Sequence, residues 1–199
     1  MKKARLNTLS IKDDISAEML LKYHLVLEIN RDMLNKIEIP LFSRNMCLIY
    51  LITKFEEYMK KCLRIYLIYR PNIISKEKTL EYETIFLCKT IEDIILKIIE
   101  KELDGNFHGG IDDINKYLKK KFEIDLHQLS NFNKFKERFY RRNIIVHNEG
   151  ICNEIYNKIT NMGIVNQPLV TGDQYLNESF ILFIEYSDSF RKFIEQKIV

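Results

Sequence analysis

Apolar residues recur every three or four positions along most of the chain, which is the spacing that places them on one face of an α-helix. Few prolines and glycines interrupt this pattern. It predicts short helices at 112–121 and within 151–161, and longer helices at 16–37, 43–70, 75–103, 130–147 and 176–198. The stretch 162–174 is expected to be irregular, with room for a short hairpin.

These elements predict an all-α fold, a single helical bundle of five or six helices with an added N-terminal helix. Residues 1–40 would form the N-terminal helical extension and residues 41–199 the bundle. Ser43 is the expected N-cap of the second helix, and Gly150 the stop signal after the helix that ends at His147. Glycine-rich residues 105–110 are expected to form a loop.

Composition narrows the functional class only slightly. The chain has 199 residues, 46% of them hydrophobic and 30% charged, which is typical of a soluble globular protein. Its net charge of +3 is too small to indicate a nucleic-acid partner by itself. Apolar runs fall short of the ~20 residues of a membrane span, and the N-terminus lacks the apolar block of a signal peptide. We therefore expect a cytoplasmic protein with no membrane contact.

Neither the cysteines nor the histidines have the spacing of a metal site. The cysteines are expected to be buried free thiols, at positions Cys47, Cys62, Cys88 and Cys152. The histidines are scattered and have no ligand-spaced carboxylate nearby, at positions His24, His108, His127 and His147. We therefore expect no metal and no cofactor, and a metal-dependent enzyme is disfavoured.

The segment 140–150, which reads YRRNIIVHNEG, concentrates more polar chemistry at one helix end than a helical core requires. A helical wheel places Phe132, Phe135, Phe139 and Val146 on one apolar stripe, flanked by Arg142 and Asn143. Arg141 and Glu137 project from the opposite side and are expected to form an exposed ion pair. Arg142 leans toward whatever the stripe packs against, so its guanidinium must be paired or must line a wet cleft.

Arg142 and His147 are five residues apart, roughly 140° around one helix, so their side chains diverge. To act on one phosphate they need the helix to end between them, or a second copy of the segment. A two-fold dimer would supply that copy. Ile144 and Ile145 are expected to help to bury the contact between the two copies.

A groove that holds arginine and histidine suits the cleavage of RNA without a metal. The ribose 2′-hydroxyl is the nucleophile, histidine transfers a proton near neutral pH, and arginine stabilises the charge of the transition state. Asn143 or Asn148 could orient the histidine or the phosphate. A local excess of cations would attract the RNA backbone, with contacts expected from Lys134, Arg138, Arg141 and Asn148. The alternative is ordinary helix capping, for which a terminal histidine and an Asn-x-Gly ending are common.

The residues Arg142 to His147 also resemble the R-x(4 to 6)-H signature of the HEPN superfamily, with an asparagine directly after the arginine. The helix that begins at Leu41 is similar to the first core helix of that group. The resemblance implies a helical bundle that dimerises through the motif helices and cleaves RNA without metal, often as a toxin or antiviral effector. It makes Arg142 and His147 the catalytic pair and Asn143 their polar neighbour, and it implies an antitoxin or other regulatory protein as a partner.

Two alternatives stay open. Arg141 also satisfies the spacing of the signature, and only the helical wheel selects Arg142. Some HEPN proteins are catalytically inactive modules that bind nucleic acid or a partner protein, so the resemblance by itself does not decide between catalysis, which we expect first, and a binding role.

Overall fold

The computed structural model describes residues 41–74 and 79–198, so the helix predicted at 16–37 lies outside the described residues. This part of the chain confirms the all-α prediction, with seven α-helices and two short 3-10 turns, at Pro71–Ile73 and Leu126–Gln128. The helices are α1 (Leu41–Tyr69), α2 (Tyr82–Leu87), α3 (Ile91–Phe107), α4 (Ile111–Phe122), α5 (Phe132–His147), α6 (Glu154–Thr160) and α7 (Asp173–Ile198).

Helix α1 is the centre of the bundle, because α3, α5 and α7 all pack against it. Its apolar face is fully buried at Leu48, Leu51 and Phe55. The Phe55 ring meets Phe135 of α5 edge-on at 5.3 Å and Phe183 of α7 at 5.1 Å between centroids. Such aromatic contacts add about 0.5–1.5 kcal/mol each to the burial term. They fix α5, the helix with the arginine–histidine motif, against two long neighbours.

Several predicted helix boundaries are wrong. The chain does not form one helix across 75–103, because Thr90 and Asp93 make a reciprocal capping box that starts α3 anew. Helix α3 then continues past Gly105 to the buried Phe107, so tertiary packing outweighs the weak helix propensity of glycine there. Ser43 lies inside α1 and is not its N-cap.

The chain reverses direction directly after α5. Gly150 adopts φ +78°, and its N–H donates to the Ile144 carbonyl oxygen at 3.0 Å, so the predicted stop signal is confirmed. The strand-like contact expected within 162–174 is instead an isolated antiparallel bridge between Pro168 and Ile151. These segments bury a small second core of Ile144, Cys152, Tyr156 and Leu169.

All four cysteines are free, as predicted, although only Cys62 and Cys152 are buried and the other two are half-buried. Burial raises the pKa of the Cys62 thiol to about 12, so this thiol stays protonated at neutral pH. None of the helices in the described ranges combines the length and the apolar character needed to cross a membrane.

Candidate functional site

His147 occupies the last turn of α5 and is exposed to solvent. Its imidazole has no hydrogen bond to any described residue. Asn148, the next residue, caps the helix, and its side-chain amide donates to the Ile151 carbonyl oxygen at 2.5 Å. The turn after the histidine is therefore held in place while the imidazole itself is available to a ligand.

A cavity of about 240 Å³ opens beside His147, between the end of α5 and the start of α6. Its polar lining comprises His147, Asn143, Asn148, Asn153, Tyr140 and Tyr156. Three residues predicted from the sequence, namely Asn143, His147 and Asn148, thus meet at one concave site. Asn153 and Tyr156 were not predicted. The N-cap preference for asparagine was the only sequence signal at Asn153, and it indicates a helix start but no cavity.

Arg142 does not line this cavity. Its half-buried guanidinium points to α1, where Nη2 donates to Oε1 of Glu56 at 2.8 Å, so the prediction that it needs a partner is confirmed. Burial raises the pKa of Glu56, and the positive charge of Arg142 only partly offsets this. The buried Nε of Arg142 has no hydrogen-bond partner among the described residues. One donor of the guanidinium is thus engaged, one is buried, and the side chain is 26% exposed.

The helix continues unbroken from Arg142 to His147. On a regular helix two residues with this spacing point about 140° apart, and the cavity includes His147 without Arg142. The diverging arrangement predicted from the sequence is therefore present. A single chain does not direct both side chains at one phosphate.

Arg141 departs from its predicted place. The expected exposed ion pair with Glu137 is buried, with Arg141 only 5% exposed and Glu137 only 3%. Its Nε donates to Glu137 Oε1 at 3.1 Å and to the Tyr156 hydroxyl at 3.0 Å, and its Nη1 donates to the Val170 carbonyl oxygen at 3.4 Å. Helix α6 and the segment before α7 cover this side of α5, which a wheel with one apolar stripe does not reveal. The guanidinium is therefore not accessible to an RNA backbone.

Arg138, another predicted RNA contact, is also buried. It pairs with Glu137, donates to the Ser179 hydroxyl at 2.7 Å, and lies 3.8 Å from the centre of the Tyr175 ring. Burial acts to raise the pKa of Glu137, but the Tyr156 hydrogen bond and the two guanidinium charges outweigh it, so the pKa falls below its ordinary value. Glu137 is thus the shared anion of two buried arginines.

The expected local excess of cations along α5 is reduced, because acids from other helices pair with two of these cations. Lys136 pairs with Asp112 of α4 at 2.9 Å, as Arg142 pairs with Glu56 of α1. Lys134 is exposed and has no ion pair with a described residue, but it lies about 20 Å along the axis from His147. Of the four residues expected to contact RNA, Asn148 is the one beside the histidine.

The apolar residues at the end of α5 also differ from expectation. Val146, placed on the buried stripe by the wheel, is 49% exposed, whereas Ile144 is buried under α6 and Ile145 packs on the main core. Ile144 is therefore not free to bury a dimer contact, and Ile145, which is half-buried, has only part of its surface free. Val146 belongs instead to a group of exposed apolar residues, here called the α6 apolar surface, which comprises Val146, Ile151, Ile155, Ile159, Met162, Ile164 and Val170.

No protein-family model, curated protein or solved structure matches this chain. Within the described ranges, no three His, Cys, Asp or Glu side chains are grouped so that they could hold a metal ion. The chemistry of the site is accordingly argued from its own side chains.

Proposed function

We propose that this protein is a metal-independent endoribonuclease of the HEPN type that works as a homodimer in the cytoplasm, in the role of a toxin or an antiviral effector. The observation that carries the proposal is the unbroken helix that places Arg142 and His147 on diverging faces. The imidazole of His147 is exposed beside a polar cavity. The sequence resemblance described above is the second support.

In the proposed reaction the ribose 2′-oxygen attacks the adjacent phosphorus and the bond from phosphorus to the 5′-oxygen breaks. His147 of one subunit accepts the proton of the 2′-hydroxyl and delivers a proton to the leaving 5′-oxygen, and Arg142 of the other stabilises the extra negative charge on the phosphoryl oxygens. The products are a 2′,3′-cyclic phosphate and a 5′-hydroxyl. Because the nucleophile belongs to the substrate, the protein supplies only proton transfer and charge.

The α6 apolar surface supports the dimer. Its residues lie on three segments that contact one another, since the Leu169 N–H donates to the Gly150 carbonyl oxygen and α5 packs on α6. Exposed apolar groups of this kind mark contact sites in soluble proteins. Because this surface adjoins His147, a two-fold contact here would bring the motif of a second copy close to the cavity.

The second candidate is a catalytically inactive HEPN module that binds nucleic acid or a partner protein. The ion pair between Arg142 and Glu56 favours it, because a guanidinium already neutralised stabilises a phosphorane less well. An antitoxin or other regulatory protein remains a proposed partner under either candidate.

Incubation of purified protein with single-stranded RNA in excess EDTA separates the two candidates. The endoribonuclease is expected to cut the RNA and leave 2′,3′-cyclic phosphate ends, because no step in the proposed chemistry needs a metal. The ends are identified by their resistance to ligation and by mass spectrometry of the fragments. Binding without cleavage beyond that of a His147→Ala control would instead support the inactive module.

A further inference from the structure

Two tyrosines line the cavity beside His147, and the hydroxyl of each is anchored. The Tyr140 hydroxyl donates to Oδ2 of Asp112 at 2.8 Å. The Tyr156 hydroxyl donates to Glu137 and accepts from Arg141. Because each phenol is hydrogen-bonded at its tip, both rings are held in fixed orientations. Tyr156 is only 1% exposed, so the half-buried Tyr140 is the ring that offers a ligand a rigid aromatic surface.

Three asparagines give this cavity a defined pattern of donors and acceptors. The Asn148 amide nitrogen is used by Ile151, which leaves its carbonyl oxygen as an acceptor. The Asn153 oxygen accepts the Tyr156 N–H at 2.8 Å, which leaves its amide nitrogen as a donor. Asn143 has no hydrogen bond to any described residue, so both of its groups are available. The lining thus offers one anchored acceptor, one anchored donor and the unbonded amide of Asn143 within one small space.

The lining indicates the class of ligand. The lining contains no Lys, Arg, Asp or Glu side chain, and His147 is its one ionisable group near neutral pH. It therefore suits an uncharged group better than a phosphate. Its volume of about 240 Å³ is below the ~300–1,000 Å³ of sites for whole drug-sized ligands or cofactors. Unpaired RNA bases are recognised by aromatic rings together with hydrogen bonds to the base edge, and asparagine matches such edges with its paired donor and acceptor.

We infer that this cavity binds one unpaired nucleobase of the RNA next to the bond that is cut, with Asn153 as a specificity-determining residue. The inference rests on the proposed function, because it places the base relative to His147 as the proton-transfer group. It goes beyond that function in naming what selects the cleavage position. The enzyme is then expected to prefer particular bases at one side of the cut.

Asn153→Asp is the sharpest test, because aspartate keeps the oxygen that caps α6, removes the amide donor and adds one negative charge. Asn161→Asp adds the same charge at the other end of α6, outside the cavity, and is the matched control. AMP, GMP, CMP and UMP are titrated separately, and the side-chain amide signals of Asn143, Asn148 and Asn153 are followed by NMR. Ribose 5-phosphate is the probe that carries the sugar and phosphate without a base.

At least one nucleotide should shift these signals in the wild type, whereas ribose 5-phosphate should not. Asn153→Asp should lower the affinity for that nucleotide by at least about fivefold, which is the loss expected for one hydrogen bond at a desolvated site, or it should change which base binds best. Asn161→Asp should leave both affinity and preference unchanged. The inference is wrong if ribose 5-phosphate shifts the signals as strongly as the nucleotides, if no nucleotide shifts them, or if Asn153→Asp binds like the wild type.

The failure of this inference is distinguishable from failure of the proposed function. Nucleotide binding in the cavity without any RNA cleavage supports the base site and contradicts the endoribonuclease. Cleavage with identical base frequencies around the cut sites in wild type and Asn153→Asp contradicts the base site and leaves the endoribonuclease intact.

Discussion

Replacement of His147 by alanine is expected to lower the rate of RNA cleavage by about 10²–10⁴-fold, the usual contribution of a group that transfers a proton in the transition state. The fold should be unaffected, because the imidazole is exposed and makes no hydrogen bond to a described residue. Single-turnover cleavage of a labelled RNA in EDTA measures the rate, and thermal unfolding checks the fold. Arg142→Ala should cause a loss of similar size.

His127→Ala is the matched control. His127 is exposed as well, but it lies before α5 and packs against Phe132 at the far end of that helix, 4.2 Å between ring centroids. Its loss should leave the cleavage rate within about twofold of the wild type, as expected for a side chain outside the site. If the His147→Ala protein keeps more than about a tenth of the wild-type rate, His147 does not transfer the proton.

Glu137→Gln should destabilise the protein by about 3–5 kcal/mol, because it leaves the buried guanidiniums of Arg138 and Arg141 without their shared anion. Glutamine keeps nearly the same shape and one accepting oxygen, so the loss combines the missing charge with the acceptor that Arg138 and Tyr175 share at Oε2. Urea unfolding followed by circular dichroism measures the change. This is the largest stability effect that we expect from a single polar substitution in the described residues.

The pH dependence of that loss follows from the pKa of Glu137, which is lowered in the folded protein although burial acts to raise it. A carboxyl with a lowered pKa stabilises the fold above its unfolded pKa of about 4.3, and the contribution disappears as the pH falls through the folded value. The difference between wild type and Glu137→Gln should therefore be full at pH 7 and shrink below about pH 4.

Glu178→Gln is the control for the buried network. Glu178 also faces Arg138, at 3.8 Å, but it is 48% exposed and should cost at most about 1 kcal/mol. Equal losses from the two substitutions, or a Glu137→Gln loss that does not change with pH, would mean that the buried arginines do not depend on this carboxylate.

Much of the fold follows from local sequence. The three- and four-residue periodicity predicted α1, α4, α5 and α7, since each has one continuous apolar face. It failed at the break before α3, where the capping box of Thr90 and Asp93 overrides an unbroken apolar pattern. The sequence also gave no indication that α5 is covered on two sides.

The candidate site divides in the same way. Asn143, His147 and Asn148 lie within six residues of each other, so the sequence alone predicted their proximity. Glu56 lies 86 positions from the arginine that it binds, and only the packing of α1 on α5 brings the two together. The mistaken exposure of Arg141 has the same origin, because its partners Tyr156 and Val170 come from later segments.

Mixing of two inactive chains examines the shared site most directly. His147→Ala and Arg142→Ala proteins are unfolded and refolded together, and RNA cleavage in EDTA is compared with that of each protein alone. A mixed dimer retains one arginine and one histidine on opposite chains. If catalysis uses residues of both subunits, the equimolar mixture should recover roughly a quarter of the wild-type rate, because half of the dimers are mixed and each keeps one of two pairs.

Ile164→Glu in both chains should abolish the recovery, since it places a carboxylate on the α6 apolar surface. Ile91→Glu should leave the recovery intact, because Ile91 is equally exposed, at 72%, but lies on α3. A recovered rate that depends on Ile164 and not on Ile91 is the outcome that we predict. A mixture no more active than either variant alone would show that arginine and histidine do not act across two subunits.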